Sequence, residues 1–277
     1  MIKDIIVNLE HDVSRDRARD FAVTVAEAFD AHVAGVAFAY TPDFPGYVTP
    51  EIPPNVVAAM VEESKEAAEA AIRRFDETAK RNLLSAEHRL VRTIGIKAPT
   101  LFAALARRFD LSIVLQLNPD AVAKDDMFDS LLFESGRPVI VVPYIHKDGL
   151  KLDRVVCCWD GGRAAARAIN DALPLLAKAA KVDLLIIEND KIKNETTEIR
   201  GVEMASHLAR HEVKVEIEIV PAPDIDVADA ILSHVADESG TLIVMGGYGH
   251  AKLREIILGG VTRAMLNSMT VPVFLSH

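Results

Sequence analysis

Cysteine, tryptophan and aromatic residues are scarce in this 277-residue chain, with two cysteines, one tryptophan and 5% aromatics, and basic residues are in the minority. The cysteines, Cys157 and Cys158, are adjacent, so they cannot staple distant segments. Their strand-like surroundings read as small core residues rather than redox chemistry. No run of 18 apolar residues occurs, so no helical membrane span is expected. Against 41 acidic residues stand 31 basic ones, a net charge of −10, which argues against a broad basic surface for DNA or RNA. The opening Met1-Ile2-Lys3-Asp4 runs straight into a strand pattern without a basic start, apolar core and cleavage site. The expectation is an unsecreted, cytoplasmic protein. GxxxxGK[ST] is absent. His207 and His211 fall on a polar-rich helical segment with no cysteine nearby, so no metal site is expected, and no catalytic constellation is visible.

What is present is ordinary globular composition, half hydrophobic and about a quarter charged. Its pattern repeats. A compact apolar run at 5–9 is followed by Ala18, Phe21, Ala22, Val25, Ala26 and Phe29 at the spacing of one helix face. A strand at 32–40, a proline-punctuated loop, a long amphipathic helix from Asn55 to Leu83, and further strand and helix patterns complete the first half. The second half runs through the same order from 154 to 277. Each half reads as β-α-β-α-β-α-β-α-β, and both close on a proline-valine strand, Pro138-Val139 and Pro272-Val273. Such alternation requires a parallel sheet with helices on both faces. A further echo sets an alanine eight residues after an acid at the end of strand one, Ala18 after Glu10 and Ala168 after Asp160. The expected organisation is two tandem doubly wound domains, residues 1–146 and 152–277, joined by a polar stretch. Their closing strands, near Val139–Val142 and Val271–Leu275, are expected to pair because short apolar edges need cover.

Open parallel sheets bind ligands beyond the carboxyl ends of their strands, where strand order reverses. In the second half strand one ends in Trp159-Asp160-Gly161-Gly162, strand four runs into Gly246-Gly247-Tyr248-Gly249-His250, and Gly259-Gly260 opens a helix. Gly246 and Gly249 would permit positive φ and close approach to a ligand. Gly259-Gly260 would leave the first helix amides bare for an anion. The residues alone leave two readings open, a ligand loop or tight turns between strands and helices.

These residues resemble the universal stress protein family in its tandem form. The family motif G-x2-G-x9-G-(S/T) is similar to Gly246, Gly249, nine residues beginning at His250, and Gly259-Gly260, with Gly260 standing where the family has a hydroxyl. The resemblance implies a five-stranded fold of the nucleotide-binding α-hydrolase-like type and an intrachain pseudo-dimer. It also implies adenine nucleotide binding, ATP (with magnesium) or AMP, by Asp160, Ile187, Gly246, Gly249, His250, Gly259, Gly260 and Val261. A role in stress response follows, with slow ATP hydrolysis at most, no nucleic-acid or membrane partner, and further homodimers open. The first half departs from the pattern: Glu10 replaces the aspartate, no glycine occurs between residues 116 and 136, and Asp120, Asp125, Asp126 and Asp129 would repel phosphate. The rival reading is an interaction or small-ligand module that has lost ATP binding.

Overall fold

The computed structural model describes residues 1–11, 16–43, 53–117, 126–188, 195–248 and 260–277. The first repeat comprises β1 (Asp4–Asn8), α1 (Arg17–Phe29), β2 (His32–Thr41), α2 (Pro54–Arg81), β3 (Ala86–Ile94), α3 (Ala98–Ala106), β4 (Leu111–Leu115), α4 (Asp126–Glu134) and β5 (Val139–Val142). The second comprises β6 (Arg154–Cys158), α5 (Arg163–Leu176), β7 (Lys181–Glu188), α6 (Glu195–Arg210), β8 (Val215–Pro221), α7 (Val227–Asp237), β9 (Leu242–Gly246), α8 (Gly260–Ser268) and β10 (Val273–Ser276). The alternation read from hydrophobic periodicity is therefore present in both repeats.

Packing divides the chain into two compact units, one of residues Met1–Leu115 with Ala123–Arg137, the other of Gln116–Val122 with Pro138–His277. In the first, parallel strands follow the order β3-β2-β1-β4. In the second the order is β5-β10-β9-β6-β7-β8, parallel except where β10 meets β5. There Val273, Phe274 and Leu275 pair antiparallel with Val141, Ile140 and Val139, the pairing expected of the two proline-valine strands. All four residues of each of these strands are buried. Gln116 reinforces the edge: its backbone N–H donates to Val142 O at 2.7 Å and its Nε2 to Leu266 O at 2.6 Å.

Local chemistry accounts for the helix positions. Asp16 caps α1 by accepting from Arg19 N at 2.9 Å, and the helix buries the apolar face read from sequence, Ala18, Phe21, Ala22, Val25, Ala26 and Phe29. Asp226 caps α7 by accepting from Ala228 N at 2.9 Å. In α2 the described burial is confined to Ala68, Ala71, Ile72, Phe75 and Ala79, so its amino-terminal half carries a solvated charged surface that includes a 2.7 Å Glu62–Lys65 pair. Gly35 on β2 is required by this contact, since an added Cβ would lie 2.9 Å from the Phe75 ring.

The alanine echo is corrected by the loops. Leu9 N donates to Val36 O in the first repeat as Trp159 N donates to Leu185 O in the second, which makes Glu10 the counterpart of Asp160. Helix α1 begins seven residues after Glu10, whereas α5 begins three after Asp160. Ala18 is thus the second residue of its helix and Ala168 the sixth. The first repeat has four extra residues in this loop, closed by Asp16, whose Oδ2 accepts from Glu10 N at 3.0 Å. An equal count from the acid therefore does not mark equal places.

Candidate functional site

Strand order in the second unit reverses between β6 and β9, and the carboxyl ends of these strands define the crevice expected to hold a ligand. Asp160 lies two residues beyond β6 and is exposed. Its Oδ1 accepts from Gly162 N at 2.7 Å, closing a turn in which Gly161 takes φ 74°. Both glycines have a use here. Gly161 supplies the left-handed backbone, and at Gly162 a Cβ would stand 2.8 Å from Asp160 Oδ1. The turn leads into α5 with Gly162 at its N-cap and no side-chain cap. Trp159, just before it, is 8% exposed, and its indole Nε1 is buried without an acceptor among the described residues. At the end of β6, desolvation and then the charge of Asp160 push the Cys158 thiol up to about 12, so it is no nucleophile at neutral pH.

Gly246 has a different role from the one its motif position suggests. It is the last residue of β9 and is not among the positive-φ glycines. A Cβ there would lie 2.5 Å from Ala164 C and Ala165 N, in the first turn of α5. The missing side chain lets strand and helix close together. After it, Gly247 N donates to Ser276 O at 2.9 Å, and His277 Nδ1 donates to Gly247 O at 2.9 Å. Tyr248 takes φ 50° and its N–H donates to Thr262 Oγ1 at 3.2 Å. The turn after β9 is thereby fastened to both β10 and α8.

Helix α8 begins at Gly260, which is exposed, with no described residue within 4 Å of the position a Cβ would take. Val261 beside it is half-buried. Thr262, which sequence reasoning passed over, is 3% exposed and brings a hydroxyl into the first turn of α8 two residues after the position where the motif lacks one. Its sequence signal was a threonine within the first turn of a helix that opens on glycine. Ile187 is the penultimate residue of β7, 8% exposed and in register with Val220. Gly249, His250 and Gly259 lie outside the described residues.

The corresponding place in the first unit is built otherwise. Glu10 and His11 are tied down by Arg74 of α2, whose guanidinium donates to His11 O at 2.7 Å and to Glu10 O at 3.4 Å. The His11 ring lies 5.6 Å from that of Tyr40, which stacks on Phe38, the register counterpart of Ile187. Asp120 and Asp125 lie outside the described residues, and Asp126 and Asp129 fall on α4. Desolvation, and then the charge of Arg74, hold His11 below its ordinary value of 6.5. Its neutral form belongs to the folded state, so this contribution to stability is complete above 6.5 and is lost as the pH falls below that value. Urea unfolding from pH 7.5 to 5 is therefore expected to fall less steeply in His11→Asn than in the parent, and parallel curves would refute this.

Residues 151–277 match the model of the universal stress protein family. Universal stress protein Slr1230 of Synechocystis sp. is 25% identical over 138 residues, which cover 50% of this chain and 46% of that protein. The match thus spans about half the length of this relative. Among solved structures, a universal stress protein from Archaeoglobus fulgidus superimposes with a TM-score of 0.71 at 16% identity, over 99% of this chain and 97% of that one. A protein of unknown function from Pseudomonas aeruginosa PAO1 superimposes with a TM-score of 0.65, also at 16% identity, over 99% and 92%. Residues 151–277 thus carry the sequence pattern of the universal stress protein family, and over its whole length the chain has the tandem, two-domain fold of the Archaeoglobus fulgidus protein.

Proposed function

We propose that the second repeat, residues 152–277, binds one adenine nucleotide at the carboxyl ends of β6 and β9, and that the first, residues 1–146, binds none. The observation that carries this reading is the opening of α8 on exposed Gly260, with no described residue where a side chain would stand, in the unit that also presents exposed Asp160 beyond β6. The amides of a glycine-opened helix and its dipole suit phosphates, while a carboxylate suits the donors of a base or ribose. Ile187 offers an apolar surface for the base, Val261 flanks the phosphate end, and Gly249, His250 and Gly259 complete the loop. Magnesium accompanies ATP as part of the ligand. Chemistry at such a site is limited to slow hydrolysis, because no general base stands beside the Gly260 opening among the described residues. In the first repeat the matching place holds Glu10 and the His11–Tyr40 pair, and it lacks the glycines. The cellular role that fits this reading is a cytoplasmic nucleotide-dependent stress response.

Calorimetric titration of ATP and AMP into the purified chain tests the reading, with a stoichiometry of one expected. Gly260→Ser restores the family's hydroxyl, and one added hydrogen bond to a charged group is worth roughly 1.5–3 kcal/mol, about a tenfold to hundredfold gain in affinity. Two sites per chain, or no binding to parent and Gly260→Ser alike at millimolar nucleotide, would overturn the proposal. The second of those results would favour the interaction module.

A further inference from the structure

On the outer side of the second unit, His207 of α6 and His211 just past its end are four residues apart, the spacing that stacks side chains on one helix face. Their rings lie 4.7 Å centre to centre at an interplanar angle of 65°. Two imidazoles bound to one ion through nitrogens at about 2.0–2.1 Å, with a near-tetrahedral angle between them, place their ring centres about 5 Å apart. The observed pair already has that separation.

A second, independent feature is Asn170 of α5. Its Nδ2 donates to Ala166 O at 2.8 Å, which leaves Oδ1 as the amide's acceptor. That oxygen lies 3.2 Å from His207 Nε2. An amide oxygen only accepts, so Nε2 carries the proton and the neutral ring presents the lone pair on Nδ1. Metal-ligating histidines are oriented in this way, the nitrogen remote from the ion donating to an oxygen. We propose that His207 and His211 form a chelate for one divalent transition-metal ion, with Asn170 as the positioning residue and water completing the coordination. Imidazole ligands select copper, nickel or zinc over magnesium and calcium. The cluster of Asp183, Glu216 and Glu218 is a poorer rival, because the Lys181 ammonium already lies 2.7 Å from Glu216 and 3.8 Å from Asp183.

The test is calorimetric titration of zinc chloride, and separately of copper(II), into the full chain without an affinity tag. One ion per chain is expected. His207→Gln and His211→Gln should each weaken it at least tenfold with circular dichroism unchanged. Asn170→Ala, which leaves both ligands in place, should weaken binding by about 10–100-fold. Paramagnetic resonance of the copper complex should report two imidazole nitrogens in the parent and one in His211→Gln. Absence of zinc and copper binding by the parent, or equal affinity in His211→Gln, would overturn the proposal. ATP binding should be the same in all three variants, so this test stands or falls apart from the nucleotide reading.

Discussion

Replacing Arg154 by methionine is expected to lower the free energy of unfolding by about 3–5 kcal/mol. The reason lies at the amino-terminal ends of the strands in the second unit. Asp183, third residue of β7, is fully buried. Arg154 Nε donates to its Oδ2 at 2.6 Å, and the same guanidinium reaches Glu238, the C-cap of α7, donating to its backbone oxygen at 3.1 Å and pairing with its carboxylate. Lys181 and His234 stand farther off, at 3.8 and 3.6 Å, and Asp183 Oδ1 has no hydrogen bond among the described residues. Without Arg154 a carboxylate remains in an apolar interior with two distant partners, and such a charge is far costlier than a paired one. The remaining partners place the effect at the lower end of the range. Removing both charges, in Arg154→Met/Asp183→Leu, should recover most of the loss, because no buried charge is then left unpaired. Denaturant unfolding of the parent and the two variants reads this directly. A loss below about 1 kcal/mol in the single variant, or a double variant less stable than the single, would refute it.

Gly246→Val is expected to cost about 3 kcal/mol, the upper end of what overpacking costs in a closed interior. The added Cβ would meet Ala164 C and Ala165 N at 2.5 Å, and backbone in the first turn of a helix cannot swing aside as a side-chain tip can. Either β9 or α5 must shift, and both support the crevice. Gly260→Ala is the matched control. Its Cβ meets no described residue within 4 Å, so stability should hold or rise by roughly 0.5–1 kcal/mol, the usual difference between glycine and alanine in a helix. The pair separates two glycines that look alike in the motif: one holds strand to helix and the other opens a helix end. Thermal melts showing Gly246→Val as stable as the parent would remove the packing role.

Much of this was legible in the chain. The 3.6-residue period of Ala18, Phe21, Ala22, Val25, Ala26 and Phe29 names the buried face of α1 correctly, because a helix against a sheet must bury one stripe. The apolar run at 5–9 and its counterpart at 154–158 name the central strands, since strands covered on both faces carry little polar alternation. The closing strands were legible as edges needing cover, and the β5–β10 pairing follows. Loop length was not. Four extra residues after Glu10 displace α1, because a hydrogen-bonded cap at Asp16 can hold a longer turn as well as a glycine pair holds a short one.

By itself the sequence determined the repeat, the order of strands and helices and the place where a ligand loop could stand, because periodicity and turn residues act over a few positions of chain. Only the tertiary structure decided what each residue there touches. Gly246 meets Ala164, some 80 residues away, where α5 packs over the end of β9. Asp183 meets Arg154 and His234, drawn from two further elements. His207 faces Asn170 across two helices, which makes an ordinary i,i+4 pair into an oriented one. Each of these contacts depends on sheet order and on which helix packs over which strand, and no local pattern encodes the distance between elements that far apart.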